Sequence, residues 1–194
     1  LEGEHGGELG PAAALLVERG EAIADRGERR LGAEPEIERA EHAVLVVELA
    51  RAGLYVYATG RSSRTAGPSE IGRPETIEET AALLAAAGGT GSALVVDHED
   101  PASVGGLVSA IERDHGRLDV LVNDIFGGDR YMEWDRPLWE HDWAGGLRML
   151  QMGVHTHLIT ARAAIPLMLR TAAGLGTRGL VVEMTDGTAQ ANAE

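Results

Sequence analysis

From Ala43 onward, short apolar runs alternate with longer stretches in which apolar residues return every three or four positions. A brief run is a strand buried on both faces, and the longer stretch is an amphipathic helix crossing back over the sheet. The rhythm therefore predicts parallel strands covered by helices. The pattern places a helix at about 41–52, closed by Gly53, and a strand at "LYVYAT", 54–59. A rival reading makes "AVLVVEL" a strand, because Val and Leu crowd it. After a loop of Ser, Gly and Pro, "PETIEETAALLAAAGG" has Pro74 ahead of it, an acidic first turn and Gly88-Gly89 behind it, which predicts a helix. "SALVVD", 92–97, is a strand. "DPASVGGLVSAIERDHG" is a helix with Asp100 as cap, Pro101 at its first position and Gly116 beyond its last turn. "LDVLVN", 118–123, is a strand, a helical region follows at about 136–171, and "GLVVEM", 179–184, is the last strand.

The first 42 residues break this rhythm. They are rich in Glu, Gly and Arg and contain one helix-like piece, "PAAALLVERGEAIADRG", with Pro11 suited to a first helical position. No buried strand is predicted there. The chain thus divides into an atypical segment, 1–42, partly helical or disordered, and an α/β domain, 43–194.

Composition narrows the partners. The 194 residues carry a net charge of −14, which disfavours a nucleic-acid backbone or an anionic membrane surface. All 17 basic residues are Arg, and no Lys occurs. The absence of Cys excludes disulfides, thiolate metal sites and cysteine nucleophiles. No uninterrupted apolar run approaches the roughly 20 residues that cross a bilayer, so a soluble, cytoplasmic protein is expected. A first residue that is Leu, with no signal-peptide pattern behind it, suggests a fragment.

In open parallel sheets ligands bind beyond the carboxyl ends of the strands. Those ends read Gly60-Arg61-Ser62, Asp97-His98, Asn123-Asp124 and Thr185-Asp186, each polar or glycine after an apolar run. Gly127 and Gly128 would let backbone come close to a bound group. "ELARAGLYVYATGRS", "ALVVDHEDPASV" and "GRLDVLVNDIFGG", in this order, resemble the short-chain dehydrogenase/reductase family, the last of them its "LDVLVNNAG" motif. The resemblance runs from about residue 43 to 190. It implies a Rossmann-like α/β fold, a three-layer parallel sheet with helices on both faces, and hydride transfer with a nicotinamide cofactor on a small carbonyl or alcohol substrate. By position, Asp97 would bond the adenine amino group, His98 would supply a neighbouring backbone contact, and Asn123 would tie the sheet beside the cofactor. Asp124 and Ile125 stand where the motif has its second Asn and its Ala. Members that choose NAD place an acid at the end of the second strand. Here Gly60, Arg61 and Ser62 stand there, and a guanidinium beside the ribose suits a 2′-phosphate, so NADP(H) is expected rather than NAD(H). The alternatives are a solvated loop cation for Arg61 and a helix-loop carboxylate for Asp97.

Much of the family pattern is missing. The glycine-rich TGxxxGxG turn should fall near "PEIERAEH", 35–42, where Glu36, Ala40 and Glu41 stand instead, and carboxylates repel a pyrophosphate. No apolar strand precedes them, so the sheet is expected to lack its usual first strand, although each backbone bond left unmade would cost about 1–3 kcal/mol. Asp186 occupies the family's Ser position, with Thr185 and Thr188 as nearby hydroxyls. The Tyr of the YxxxK motif would fall beyond Glu194; Tyr55, Tyr57 and Tyr131 lie in other elements. Gly153 replaces a structural Asn. His155 and His157, two apart on a helix, do not make a metal pair, and no metal site is expected. His141 and Asp142 among Trp134, Trp139 and Trp143 line either a substrate mouth or a packing or oligomer face. Glu78-Glu79 and Glu99-Asp100 read as solvated helix starts. Two functions remain: an incomplete NADP(H)-dependent short-chain oxidoreductase, inactive alone, or a degenerate non-catalytic nucleotide-binding or oligomerisation module. The resemblance further implies a homodimer or homotetramer through the long helices. A receiver domain would need a Lys that this chain does not have.

Overall fold

The computed structural model describes residues 13–17, 45–70 and 75–184. Five strands form one parallel sheet: β1 (Ala13–Val17), β2 (Tyr55–Gly60), β3 (Thr90–Val95), β4 (Val120–Asn123) and β5 (Leu180–Glu183). Their spatial order is β3-β2-β1-β4-β5. The chain steps outward from β1 through β2 to β3, then crosses back to β4 on the other side of β1. This reversal opens a crevice at the carboxyl edge of the sheet, where such folds bind ligands.

The sheet has its first strand, which corrects the expectation drawn from the sequence. Residues 13–17, within the piece read as helix, pair with β2 (Leu15 opposite Tyr57) and with β4 (Leu15 opposite Leu121). Ala13, Ala14 and Leu15 are wholly buried. The alanines favour a helix in isolation, but the central slot accepts only a short run apolar on both faces and returns hydrogen bonds on both edges. The boundary at residue 42 therefore marks a change of composition and not the limit of the sheet.

The reverse holds for "AVLVVEL". Helix α1, seen over 45–51, uses Val46 and Ala50, four residues apart, to cover Val56, Ala58 and Val122 on one face of the sheet. Helix α2 (Ile77–Ala86) joins it there through Ile77 and Leu84. On the opposite face, α3 (Pro101–His115) supplies Val104, Leu107, Val108 and Ile111. These pack with Leu15, Tyr57, Leu121 and the inner side of the long helix. Asp100 caps α3 by accepting from the backbone of Ala102 and Ser103, and Gly116, at φ +67°, closes it in the left-handed conformation.

The long helix comprises α4 (Trp143–Leu150), a π-helical turn (Gln151–His155) and α5 (Thr156–Leu175). Its inner face buries Met152, Thr156, Thr160, Ala164, Leu167, Met168 and Thr171. Leu147, Leu150, Val154, Leu158, Ile165 and Leu169 are exposed on it. Taken whole, Trp143–Leu175 is long and apolar enough to cross a bilayer by length and composition, although it contains no uninterrupted apolar run of that length. The helical pattern hides this from a search for uninterrupted runs, because polar residues such as Gln151 and Arg162 punctuate it.

Candidate functional site

Each strand ends at the same edge, and β2 and β3 end in register, Gly60 opposite Val95. Arg61 leaves the end of β2 and donates from Nη1 to Glu99 Oε2 at 2.9 Å; its Nη2 meets the Met152 thioether at 3.9 Å. Glu99 also receives Arg148 of α4 through both of its oxygens, Oε2 at 2.8 Å from Nη2. Arg148 in turn donates to both oxygens of Glu70, at 2.6 and 3.2 Å. Tyr131 donates to the same Glu70 carboxylate, and Arg130 Nη1 donates to the Glu70 carbonyl at 2.9 Å. The result is an alternating chain, Arg61–Glu99–Arg148–Glu70, whose side chains are each about a quarter exposed. Hydrogen bonds from Arg148 and Tyr131 hold the Glu70 carboxyl down at about 2, and Arg148 pulls Glu99 below the usual carboxylate range.

Directly beneath lies a buried relay. Thr160 Oγ1 donates to the Thr156 carbonyl at 2.8 Å, so it accepts from His98 Nδ1, also at 2.8 Å. His98 Nε2 is left as the acceptor facing Thr59 Oγ1 at 3.0 Å. His98 is 3 % exposed, and burial, followed by the Arg61 cation, lowers its pKa to about 4. The ring is neutral, one tautomer, and joins β2 to α5.

The β4–β5 side is built differently. Asn123, fully buried, donates from Nδ2 to Glu183 Oε1 at 2.7 Å, while its Oδ1 has no partner. The other oxygen of Glu183 lies 2.6 Å from His157 Nδ1, and His157 Nε2 donates to the Ile125 carbonyl at 2.9 Å. The strut thus runs from Asn123 through Glu183 and His157 to the Ile125 carbonyl. Beside this strut, Phe126 occupies room that two glycines leave. A Cβ on Gly128 would lie 2.8 Å from the Phe126 ring and 2.9 Å from Met149, and one on Gly153 would lie 3.0 Å from the same ring. Gly128, expected to admit a ligand, instead accommodates an aromatic side chain. Gly153 in place of the structural Asn has the same cause.

Arg61, Asp97 and Asn123 thus come to one edge of the parallel sheet, Arg61 and Asp97 after the neighbouring strands β2 and β3 and Asn123 at the end of β4, on the far side of β1. Asp97 is exposed, and its Oδ1 accepts from the Glu99 backbone at 3.0 Å. Gly60 is the last residue of β2 and accepts from Val96. Ser62 braces the following loop, its Oγ accepting from Ser69 and its carbonyl from Ile77. His98 faces the core with its side chain, and Asp124 is 4 % exposed. Asp186, Thr185 and Thr188 lie outside the described residues, as does "PEIERAEH". Glu18-Arg19-Gly20-Glu21, the residues that follow β1 in the sequence, lie outside them too. Trp134, Trp139 and Trp143 are exposed, His141 bonds the Arg136 carbonyl, and Asp142 caps α4. No metal-binding group occurs among the described residues.

Sequence reading missed Glu99, Glu70, Arg148, His157 and Glu183. Glu99 looked like half of a solvated helix start; its partners lie 38 and 49 residues away.

The comparisons bear on this arrangement directly. A family model described as "Enoyl-(Acyl carrier protein) reductase" matches residues 69–191. No curated protein matches the chain. Among solved structures, it resembles an NADH-dependent reductase A1-R′ complexed with NAD (21 % identity, TM-score 0.61, 89 % of this chain and 58 % of that one). It also resembles the citronellol catabolism dehydrogenase of Pseudomonas aeruginosa PAO1 (20 %, 0.59, 94 % and 59 %). A short-chain dehydrogenase/reductase double mutant from Serratia marcescens is a third (24 %, 0.54, 82 % and 52 %). The chain therefore spans little more than half the length of these proteins, and identities this low speak for the fold. Joined to a family match over well more than half of the chain and to this order of parallel strands, they place the protein: it belongs to the short-chain dehydrogenase/reductase family.

Proposed function

We propose that this chain carries the nucleotide-binding part of an NADP(H)-dependent oxidoreductase whose full reaction interconverts a small carbonyl compound and its alcohol. One observation carries the cofactor reading: a half-buried guanidinium, Arg61, stands immediately after β2 at the crevice, with Nη2 against only a weak thioether acceptor. The described residues fit the adenosine end of a dinucleotide. Asp97 offers an exposed carboxylate beside Arg61, and Asn123 holds a buried oxygen without a partner, an acceptor to be met by a donor. When bound, the nicotinamide supplies or takes the hydride. The chain's own residues hold and orient the nucleotide, and Asp186 is a weak substitute for the family's Ser. We further propose that these 194 residues are inactive by themselves, that the protein is cytoplasmic, and that it pairs as a homodimer or homotetramer through the exposed stripe of Leu147, Leu150, Val154, Leu158 and Ile165.

Titration with NADPH and NADH, followed by cofactor fluorescence, tests this reading. The expected result is saturable binding of both with NADPH tighter. Binding of neither supports the alternative, a degenerate non-catalytic module. Cofactor-dependent turnover by the purified chain overturns the account of its missing proton donor.

A further inference from the structure

We infer that Glu99, held in place by Arg148, is a specificity-determining residue that limits how strongly Arg61 selects a 2′-phosphorylated dinucleotide. The inference rests on the proposed binding of a nicotinamide dinucleotide at this edge. It starts from a charge count: Arg61 and Arg148 contribute two positive charges, Glu70 and Glu99 two negative ones, and the ion pairs join them into one neutral chain. A 2′-phosphate approaching Arg61 meets no isolated cation. It meets a guanidinium whose Nη1 is already committed to a carboxylate 2.9 Å away.

Glu99 is unable to swing clear. Arg148 grips both of its oxygens, Arg148 is itself fixed by both oxygens of Glu70, and Glu70 is tied to Tyr131 and Arg130. Any anion received by Arg61 therefore shares one guanidinium with a fixed carboxylate and is repelled by it. A ribose hydroxyl has the opposite experience: a carboxylate offers about four lone-pair positions, so one that already accepts from two arginines still accepts from a hydroxyl. Glu99 thus penalises the phosphorylated cofactor and tolerates the unphosphorylated one. Arg148 sets the size of that penalty, because it both immobilises Glu99 and offsets its charge.

The quantity to measure is the ratio of the NADPH to the NADH dissociation constant, determined on the same preparation by cofactor fluorescence. A ratio is insensitive to the fraction of protein that is folded. For Glu99→Gln, which keeps the shape and one acceptor, the ratio should move toward NADPH by on the order of tenfold. NADH affinity should change less than about threefold. In an Arg61→Gln background the same substitution should move the ratio much less, because the contest on the guanidinium is gone. Arg148→Gln should change the ratio in the unsubstituted chain and much less in a Glu99→Gln background, since its effect runs through Glu99. An unchanged ratio in Glu99→Gln, with both nucleotides still binding, overturns the inference and leaves the nucleotide-binding reading intact. So does an equal shift with and without Arg61. Failure of both nucleotides to bind the unsubstituted chain overturns the reading, and the inference falls with it.

Discussion

The two halves of the carboxyl edge solve the same problem by different means. At the ends of β2 and β3, polar side chains are bound to one another: an ion-pair chain at the rim and, below it, a neutral histidine held between two threonines. At the ends of β4 and β5, space is filled instead. Phe126 enters the room left by Gly128 and Gly153, and a single His157–Glu183 strut closes the gap. The first half carries the residues proposed to meet a dinucleotide's adenosine end. The second half has Asp124 and Ile125 where the resembled motif has Asn and Ala, and Phe126 packs internally there. One side is held by polar contacts between side chains; the other is held by packing. Substitutions can break this contrast one element at a time.

The largest effect is expected at His98. Its neutral ring has a pKa of about 4 in the fold and an ordinary value of about 6.5 when unfolded, so the unfolded chain takes up the proton first as pH falls. The stability that this adds is fully present above about pH 6.5 and declines by up to about 3 kcal/mol toward pH 4. His98→Asn, which still donates toward Thr160 but does not titrate, should remove that part of the pH dependence; urea unfolding at pH 7.5 and 4.5 measures it. His98→Ala should cost about 3 kcal/mol at neutral pH, from lost packing and lost buried hydrogen bonds.

Next comes the packed side. Gly128→Ala places a Cβ at 2.8 Å from the Phe126 ring and should destabilise the chain by about 1–3 kcal/mol. In a Phe126→Ala background the cost should shrink by more than about 0.5 kcal/mol, the sign of direct coupling. Equal costs in both backgrounds would remove the reason given for that glycine. His157→Ala should cost about 1 kcal/mol, since it frees one end of Glu183 while Asn123 retains the other. Smallest at neutral pH is Arg148→Gln, about 0–1 kcal/mol, because its ion pairs are partly solvated. Its signature is pH: Glu70 and Glu99 are held below their ordinary carboxylate values, so their contribution is present above about pH 4.5 and lost as pH falls toward 2. Arg148→Gln should flatten that loss.

Some features were legible because they are local. Asp100, Pro101 and Gly116 delimit α3 through bonds within a few residues, and the apolar runs of β2, β3, β4 and β5 needed only their own period and length. Arg61, Asp97 and Asn123 were legible for a related reason, since a strand's end is marked where its apolar run stops. By itself, then, the amino-acid sequence determined the α/β class, most element positions and the line along which polar groups meet. Tertiary structure decided what local preference left open or opposed. Ala13–Val17 became the central strand, although its alanines favour helix, because only the slot between β2 and β4 pairs both of its edges; residues 45–51 became helix, although Val and Leu favour strand, because Val46 and Ala50 together cover the sheet. It likewise decided the partners of Glu99, Arg148, His98 and Glu183. A hydrogen bond between residues dozens of positions apart leaves no mark on the chain until the fold brings its two ends together.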